Sequence, residues 1–126
     1  MRIAVAGSRD WGDYNTLIRK VTIEIEDWAL NNPQDTRLVF VHTGQAGAEN
    51  MVTEYVGKTQ SYMKQKGRNI NDVVFYSSPD KDRDFELLSS GIDKVIVFGT
   101  NICKRTYRFA KLAEGMGLEV SVYDLD

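Results

Sequence analysis

One cysteine and one histidine in 126 residues leave little room for thiolate or imidazole chemistry. Cys103, being alone, excludes a disulfide within the chain and any thiolate cluster on a metal, and it fits a reducing compartment, so the expected location is cytoplasmic. His42 cannot form a multi-histidine metal site by itself, and near the end of an apolar run it reads as a packed strand-end residue rather than a general base. Only two prolines and ten glycines occur, in punctuating positions, so no linker or low-complexity tract divides the chain and residues 1–126 read as a single domain. Neither sign of charge dominates: 16 basic against 18 acidic side chains give a formal net charge of -2, which removes the polycationic signal for nucleic acid or an anionic membrane. No apolar run approaches a membrane span, and the stretch before Ser8 is too short for the apolar region of a signal peptide. The dinucleotide fingerprint G-x-G-x-x-G is missing after the first apolar run, as is the Walker A pattern, so no nicotinamide or flavin cofactor is expected. A receiver domain also fails, because Asp10 is set back from the first strand and Ser77 stands where an aspartate should close the third.

What is present is an alternation of two kinds of segment. Ile3 to Gly7 is a short apolar run bounded by turn chemistry, the pattern of a parallel strand covered on both faces. From about 14 to 30, Tyr14, Leu17, Ile18, Val21, Ile25, Trp28 and Ala29 recur at three- and four-residue spacing, and Asn31-Asn32-Pro33 ends that helix. Leu38 to His42 is a second strand. A second helix carries Ala48, Met51, Val52, Tyr55, Val56, Tyr62 and Met63 and stops near Gly67. Val73 to Tyr76 reads as the third strand. Asp80 or Asp82 caps a short helix with Phe85, Leu87 and Leu88, which Gly91 closes before a fourth strand, Val95 to Phe98. Tyr107, Ala110, Ala113 and Met116 mark the last helix, and Leu118 to Tyr123 the last strand. Strands alternating with helices predict a three-layer α/β/α, doubly wound domain with five parallel strands. Order 3-2-1-4-5 is favoured over 2-1-3-4-5, because Gly99-Thr100-Asn101 after the fourth strand suits a ligand crevice beside Gly7-Ser8-Arg9, whereas Ser77-Ser78-Pro79 after the third does not.

Open α/β sheets take ligands at the carboxyl ends of their strands, and three such ends carry suitable chemistry. In Gly7-Ser8-Arg9-Asp10 the glycine frees the backbone, Ser8 offers a hydroxyl and Arg9 a two-donor grip on an oxyanion; a local pair of Arg9 with Asp10 or Asp13 is the competing use. Thr43-Gly44-Gln45-Ala46-Gly47-Ala48-Glu49 leads into the second helix, where free N–H groups can form an anion nest and Glu49 can meet a ribose or base; turn formation and a helix-dipole role for Glu49 compete with that. Gly99-Thr100-Asn101 is followed by Lys104, Arg105 and Arg108. Lys104, Arg108 and Lys111 share one helical stripe, which reads as a solvated face. Asp80, Asp82 and Asp84 mimic the start of a calcium loop, yet Phe85 stands where glycine is required and Gly91 where a bidentate glutamate belongs, so they read as a cap with acids in the first turn.

Together, the strand into Gly7-Ser8-Arg9-Asp10-Trp11, the segment Val41-His42-Thr43-Gly44-Gln45-Ala46-Gly47-Ala48-Glu49 and Val97-Phe98-Gly99-Thr100 resemble the SLOG superfamily of Rossmann-like domains, in particular its YspA-like branch found in bacteria and phages. The second segment is similar to Val-His-Gly-Gly-Ala-x-Gly-Ala-Asp of that branch, with Thr43 for the first glycine and Glu49 for the aspartate. The resemblance implies a nucleotide or nucleotide-derived ligand held by the loops after strands one, two and four. Related phosphoribohydrolases carry Pro-Gly-Gly-x-Gly-Thr-x-x-Glu after strand four; here two of those glycines are lost, and Arg108 and Phe109 occupy the region of the catalytic glutamate.

The expectation is therefore a binding module, a sensor or sequestering domain, whose ligand contacts are Gly7, Ser8, Arg9, Thr43, Gly44, Gln45, Gly47, Glu49, Gly99, Thr100 and Asn101. A hydrolase using Asp10 or Glu49 as acid or base is the alternative, and a protein-interaction module, such as a host-directed phage factor, is a third. Association with a second copy of the chain stays open, although the core consumes most of the apolar residues.

Overall fold

The computed structural model describes residues 1–77, 79–80, 82–99 and 104–124. Strands β1 (Arg2–Gly7), β2 (Arg37–His42), β3 (Asn69–Val74), β4 (Lys94–Gly99) and β5 (Glu119–Asp124) alternate with helices α1 (Tyr14–Asn31), α2 (Ala48–Gln65), α3 (Arg83–Leu88) and α4 (Lys104–Gly115). The strands form one all-parallel sheet in the order β3-β2-β1-β4-β5, the favoured order. β1 lies at the centre, with Ala4 opposite both Val41 of β2 and Val95 of β4.

Period-two alternation along β1 divides the core between the two faces of the sheet. Ile3 and Val5 join Leu17, Val21, Ile25 and Trp28 of α1 and Val52 and Val56 of α2 on one face. Ala4 and Ala6 join Leu87 and Leu88 of α3 and Phe109, Ala110 and Ala113 of α4 on the other. Each large side chain withdrawn from water in this way contributes roughly 1.5–3 kcal/mol. The sheet therefore has α1 and α2 on one side and α3 and α4 on the other, and the chain changes side between β3 and β4.

Local chemistry sets the element ends. Asp13 caps α1 by accepting from the Thr16 N–H at 3.0 Å and from the Thr16 hydroxyl at 2.6 Å. Those two bonds, the hydroxyl's first, hold its carboxyl below the usual range. Asn32 closes the helix with its N–H on the Trp28 carbonyl at 2.9 Å, immediately before Pro33. Of the two candidate caps for α3 it is Asp82 that serves, its Oδ1 accepting from the N–H groups of Asp84 and Phe85. Within α1 one acid faces inward: Glu24 is buried and meets Lys94 Nζ at 2.8 Å. Burial works against the Lys94 charge, but Glu24 and Glu119 outweigh it and raise its pKa.

The third strand starts earlier than the apolar run Val73 to Tyr76 suggests. It begins at Asn69, and Phe75 and Tyr76 lie beyond its end. The reason is that β3 is an edge strand with one buried residue, Ile70, among exposed and half-buried neighbours, so its pairing with Arg37 to His42 is read from backbone register rather than from a hydrophobic block.

Candidate functional site

Strand order makes β1 and β4 the pair at which the connections diverge to opposite faces, and the loop after β1 opens at that point. Its backbone is held tightly. Ser8 is buried, its N–H donates to the Phe98 carbonyl at 2.9 Å, and its own carbonyl accepts from Trp11 at 3.2 Å and Ala48 at 3.5 Å. Trp11 is buried beneath the loop, edge-on to Phe98 with ring centroids 5.4 Å apart, and its indole N–H is satisfied by the Asp13 carbonyl at 2.9 Å.

Two of the predicted glycines are explained by chain packed against chain. A Cβ on Gly7 would stand 2.2 Å from the Ala48 Cβ, so the start of α2 rests directly on the end of β1. Gly47 has a φ of +90°, and a Cβ there would fall 2.3 Å from the Ser8 carbonyl oxygen and 2.7 Å from that of Arg9. The loops after β1 and β2 are thus stacked backbone on backbone, and the first turn of α2 is brought beside Ser8 and Arg9. By helix geometry the N–H groups of that turn lack intrahelical acceptors. Arg9 and Asp10 are exposed, and among the described residues Arg9 has no carboxylate within ion-pair distance. The competing local pair with Asp13 is not formed, because that carboxylate is committed to Thr16.

Behind the loop after β2 lies a buried polar network. Glu49 is fully buried, and its Oε1 accepts from the Thr43 N–H and hydroxyl, both at 2.7 Å. Arg105, in the first turn of α4, donates to Glu49 Oε2 at 3.4 Å and to the Thr43 hydroxyl at 3.2 Å. His42, also buried, accepts from the Gly44 N–H through Nδ1 at 3.0 Å, while its Nε2 lies 2.9 Å from Asp72 Oδ2 and 3.1 Å from the Thr53 hydroxyl. A backbone N–H can only donate, so Nδ1 is the acceptor on the Gly44 side and Nε2 is the nitrogen that faces Asp72 and Thr53. The ring is therefore a clamp on the Gly44 turn, in agreement with a strand-end structural role. Gly44 itself has a φ of +76°. Gln45 is half-buried, and its enclosed Oε1 accepts no hydrogen bond from the described residues. Gly99 is buried at the end of β4, whereas Thr100 and Asn101, like Cys103, lie outside the described residues.

The structure brings Gly7, Ser8, Arg9, Gly44, Gln45, Gly47 and the Thr43–Glu49 pair to one end of the sheet, with Gly99 closing the neighbouring strand. The sequence marks Arg105 as one of the cations after strand four that could meet phosphate oxygens, but not its contact with Glu49 and Thr43. Its signal was positional: Arg105 stands one helical turn before Phe109, at the margin of the buried stripe Thr106, Phe109, Ala110 and Ala113. Thr53 and Asp72 were missed as well, because their contact with His42 comes from register between elements and not from any local motif. Beyond Arg105 a cleft of ≈ 440 Å³ opens between α3 and α4, lined by Asp82, Asp84, Arg105, Arg108 and Leu112. No group of three or more metal-ligating side chains occurs among the described residues. No helix among them is long and apolar enough to cross a membrane.

These features define the class: a Rossmann-like, doubly wound α/β domain whose strand order reverses between β1 and β4. Comparison with protein-family models, curated proteins and solved structures gives no match for this chain.

Proposed function

We propose that this domain binds a nucleotide or nucleotide derivative through its anionic group, in the crevice outside the ends of β1 and β4, and acts as a sensing or sequestering module of the SLOG kind. The observation that carries the reading is Arg9, an exposed cation with no acidic partner among the described residues, on a loop stacked against the N-terminal turn of α2. A guanidinium and the N–H groups of a helix start, here those beyond the Ala48 N–H that the Ser8 carbonyl takes, are complementary to a phosphate oxygen cluster. The rigid backing of the loop, through Trp11, Gly47 and the Glu49–Thr43–Arg105 network, supports a pre-organised site, which lowers the ordering cost of binding.

Binding is favoured over turnover by the state of Glu49. As a buried acceptor of two Thr43 hydrogen bonds with Arg105 on its other oxygen, it organises the loop and has no free face for proton transfer to a ligand. Titration calorimetry with mono-, di- and cyclic nucleotides and nicotinamide derivatives tests the reading. Saturable binding without release of base or phosphate is expected, and replacing Arg9 by Ala should weaken it by roughly 1.5–3 kcal/mol, the worth of a charge-assisted hydrogen bond. Unchanged affinity in that variant would remove Arg9 from the site.

A further inference from the structure

The cleft between α3 and α4 has a chemistry of its own. Its lining combines two carboxylates, Asp82 and Asp84, with two guanidiniums, Arg105 and Arg108, and one aliphatic side chain, Leu112. A phosphate would meet the arginines but also the aspartates, and a metal ion would meet the aspartates but also the arginines. The balanced set suits a neutral group that donates and accepts from neighbouring atoms, and a hydroxyl does both. The leucine adds an apolar patch of the kind that receives the C–H face of a sugar. The volume of ≈ 440 Å³ lies within the range of small-molecule sites.

The two acids are not equivalent. Asp82 spends its Oδ1 on capping α3. Asp84 keeps acceptor capacity on Oδ2: its side chain is 24% exposed, whereas Oδ1 is enclosed, accepts no hydrogen bond from the described residues and has Arg105 Nη2 only at 4.0 Å. That separation is ion-pair contact without hydrogen bonding. Arg108 is exposed and has no acidic partner among the described residues. Arg105 is the hinge between the two regions, since the guanidinium that faces Asp84 also touches Thr43 and Glu49 behind the crevice. Glu49 is buried and committed to that contact, which leaves Asp84 as the carboxylate open to a ligand's hydroxyls.

Resting on the nucleotide reading above, we infer that this cleft is a ribose subsite, in which Asp84 accepts from the cis-diol of a ribonucleotide while Arg105 and Arg108 donate to its oxygens. The chain then distinguishes ribose from 2′-deoxyribose. The experiment is calorimetry with the four common ribonucleoside 5′-mono- and diphosphates against their 2′-deoxy counterparts, on the full chain and on Asp84→Ala and Asp84→Asn, with circular dichroism to verify that the variants fold. The ribo series should bind at least tenfold more tightly. Both substitutions should remove most of the preference for ribose, weakening the ribo series severalfold more than the 2′-deoxy series, whose 3′-hydroxyl still meets Asp84. Equal binding of the two series by the unaltered chain, or equal weakening of both by the substitutions, overturns the subsite and leaves the nucleotide reading standing. Binding of neither series removes the subsite, and the nucleotide reading falls with it when the cyclic nucleotides and nicotinamide derivatives fail to bind as well.

Discussion

Asp35 illustrates how much one side chain can carry at the residue scale. Its carboxylate receives the Trp28 indole N–H at 2.9 Å, the terminal ammonium of Met1 at 2.9 Å and the Arg37 N–H at 3.1 Å. These donors, the indole first, hold the carboxyl far below its ordinary value of 3.8. Because the folded state binds this proton more weakly than the unfolded chain does, the stabilisation is complete above about pH 5. It is lost as pH falls through the ordinary carboxylate range towards the depressed folded value. Replacing Asp35 by Asn should therefore flatten the acid limb: in urea titrations between about pH 5 and 2 the midpoint of the unaltered chain falls more steeply than that of the variant. Parallel slopes would show that other carboxylates govern acid unfolding. Arg68 completes this corner by lying over the Trp28 ring at 4.9 Å and donating to the Asp35 carbonyl at 2.9 Å.

At the scale of elements, α4 is tied to the loop after β2 mainly through Arg105. Truncating Arg105 to Ala leaves Glu49 buried with Thr43 as its remaining donor, and the expected loss of folding stability is about 1–3 kcal/mol by chemical denaturation. A change within a few tenths of a kcal/mol would mean that Thr43 alone satisfies the carboxylate. The helices and central strands were legible in the sequence because both periods are strong there: Leu17, Val21, Ile25 and Trp28 mark the buried face of α1, and Val95 to Phe98 form an unbroken block. β3 was less legible, since an edge strand reading Asn69-Ile70-Asn71-Asp72 has no block to find. In the site, the loops at Gly7 to Arg9 and Thr43 to Glu49 could be found from strand-end position alone. What the glycines do there could not, because the close approaches of Gly7 to Ala48 and of Gly47 to Ser8 arise from tertiary packing. The burial of Glu49 was hidden for the same reason: an acid in a first helical turn ordinarily faces water.

Across the whole molecule, the sheet is a partition between two cores, and the order of elements fills them one after the other. Residues up to Val74 supply β1, β2, β3, α1 and α2, all that covers one face apart from contributions such as Ile96 and Phe98. The opposite face of the same strands, including Ala4, Ala6 and Val41, is covered among the described residues chiefly by α3 and α4, with Ile92 between α3 and β4. A chain cut in the connection between β3 and α3 would yield an amino-terminal piece with half a sheet and one bare apolar side, prone to self-association, and a carboxyl-terminal piece with no central strand to pair with. Mixed together, the two pieces should reassemble and regain the helical circular dichroism that the second lacks alone. Failure to recombine would show that the covalent link is needed to bring β4 beside β1. The central position of the first strand thus makes this small domain a natural split protein, whose halves are joined by recognition across β1 and β4 and whose reunion would restore the sheet's switch point.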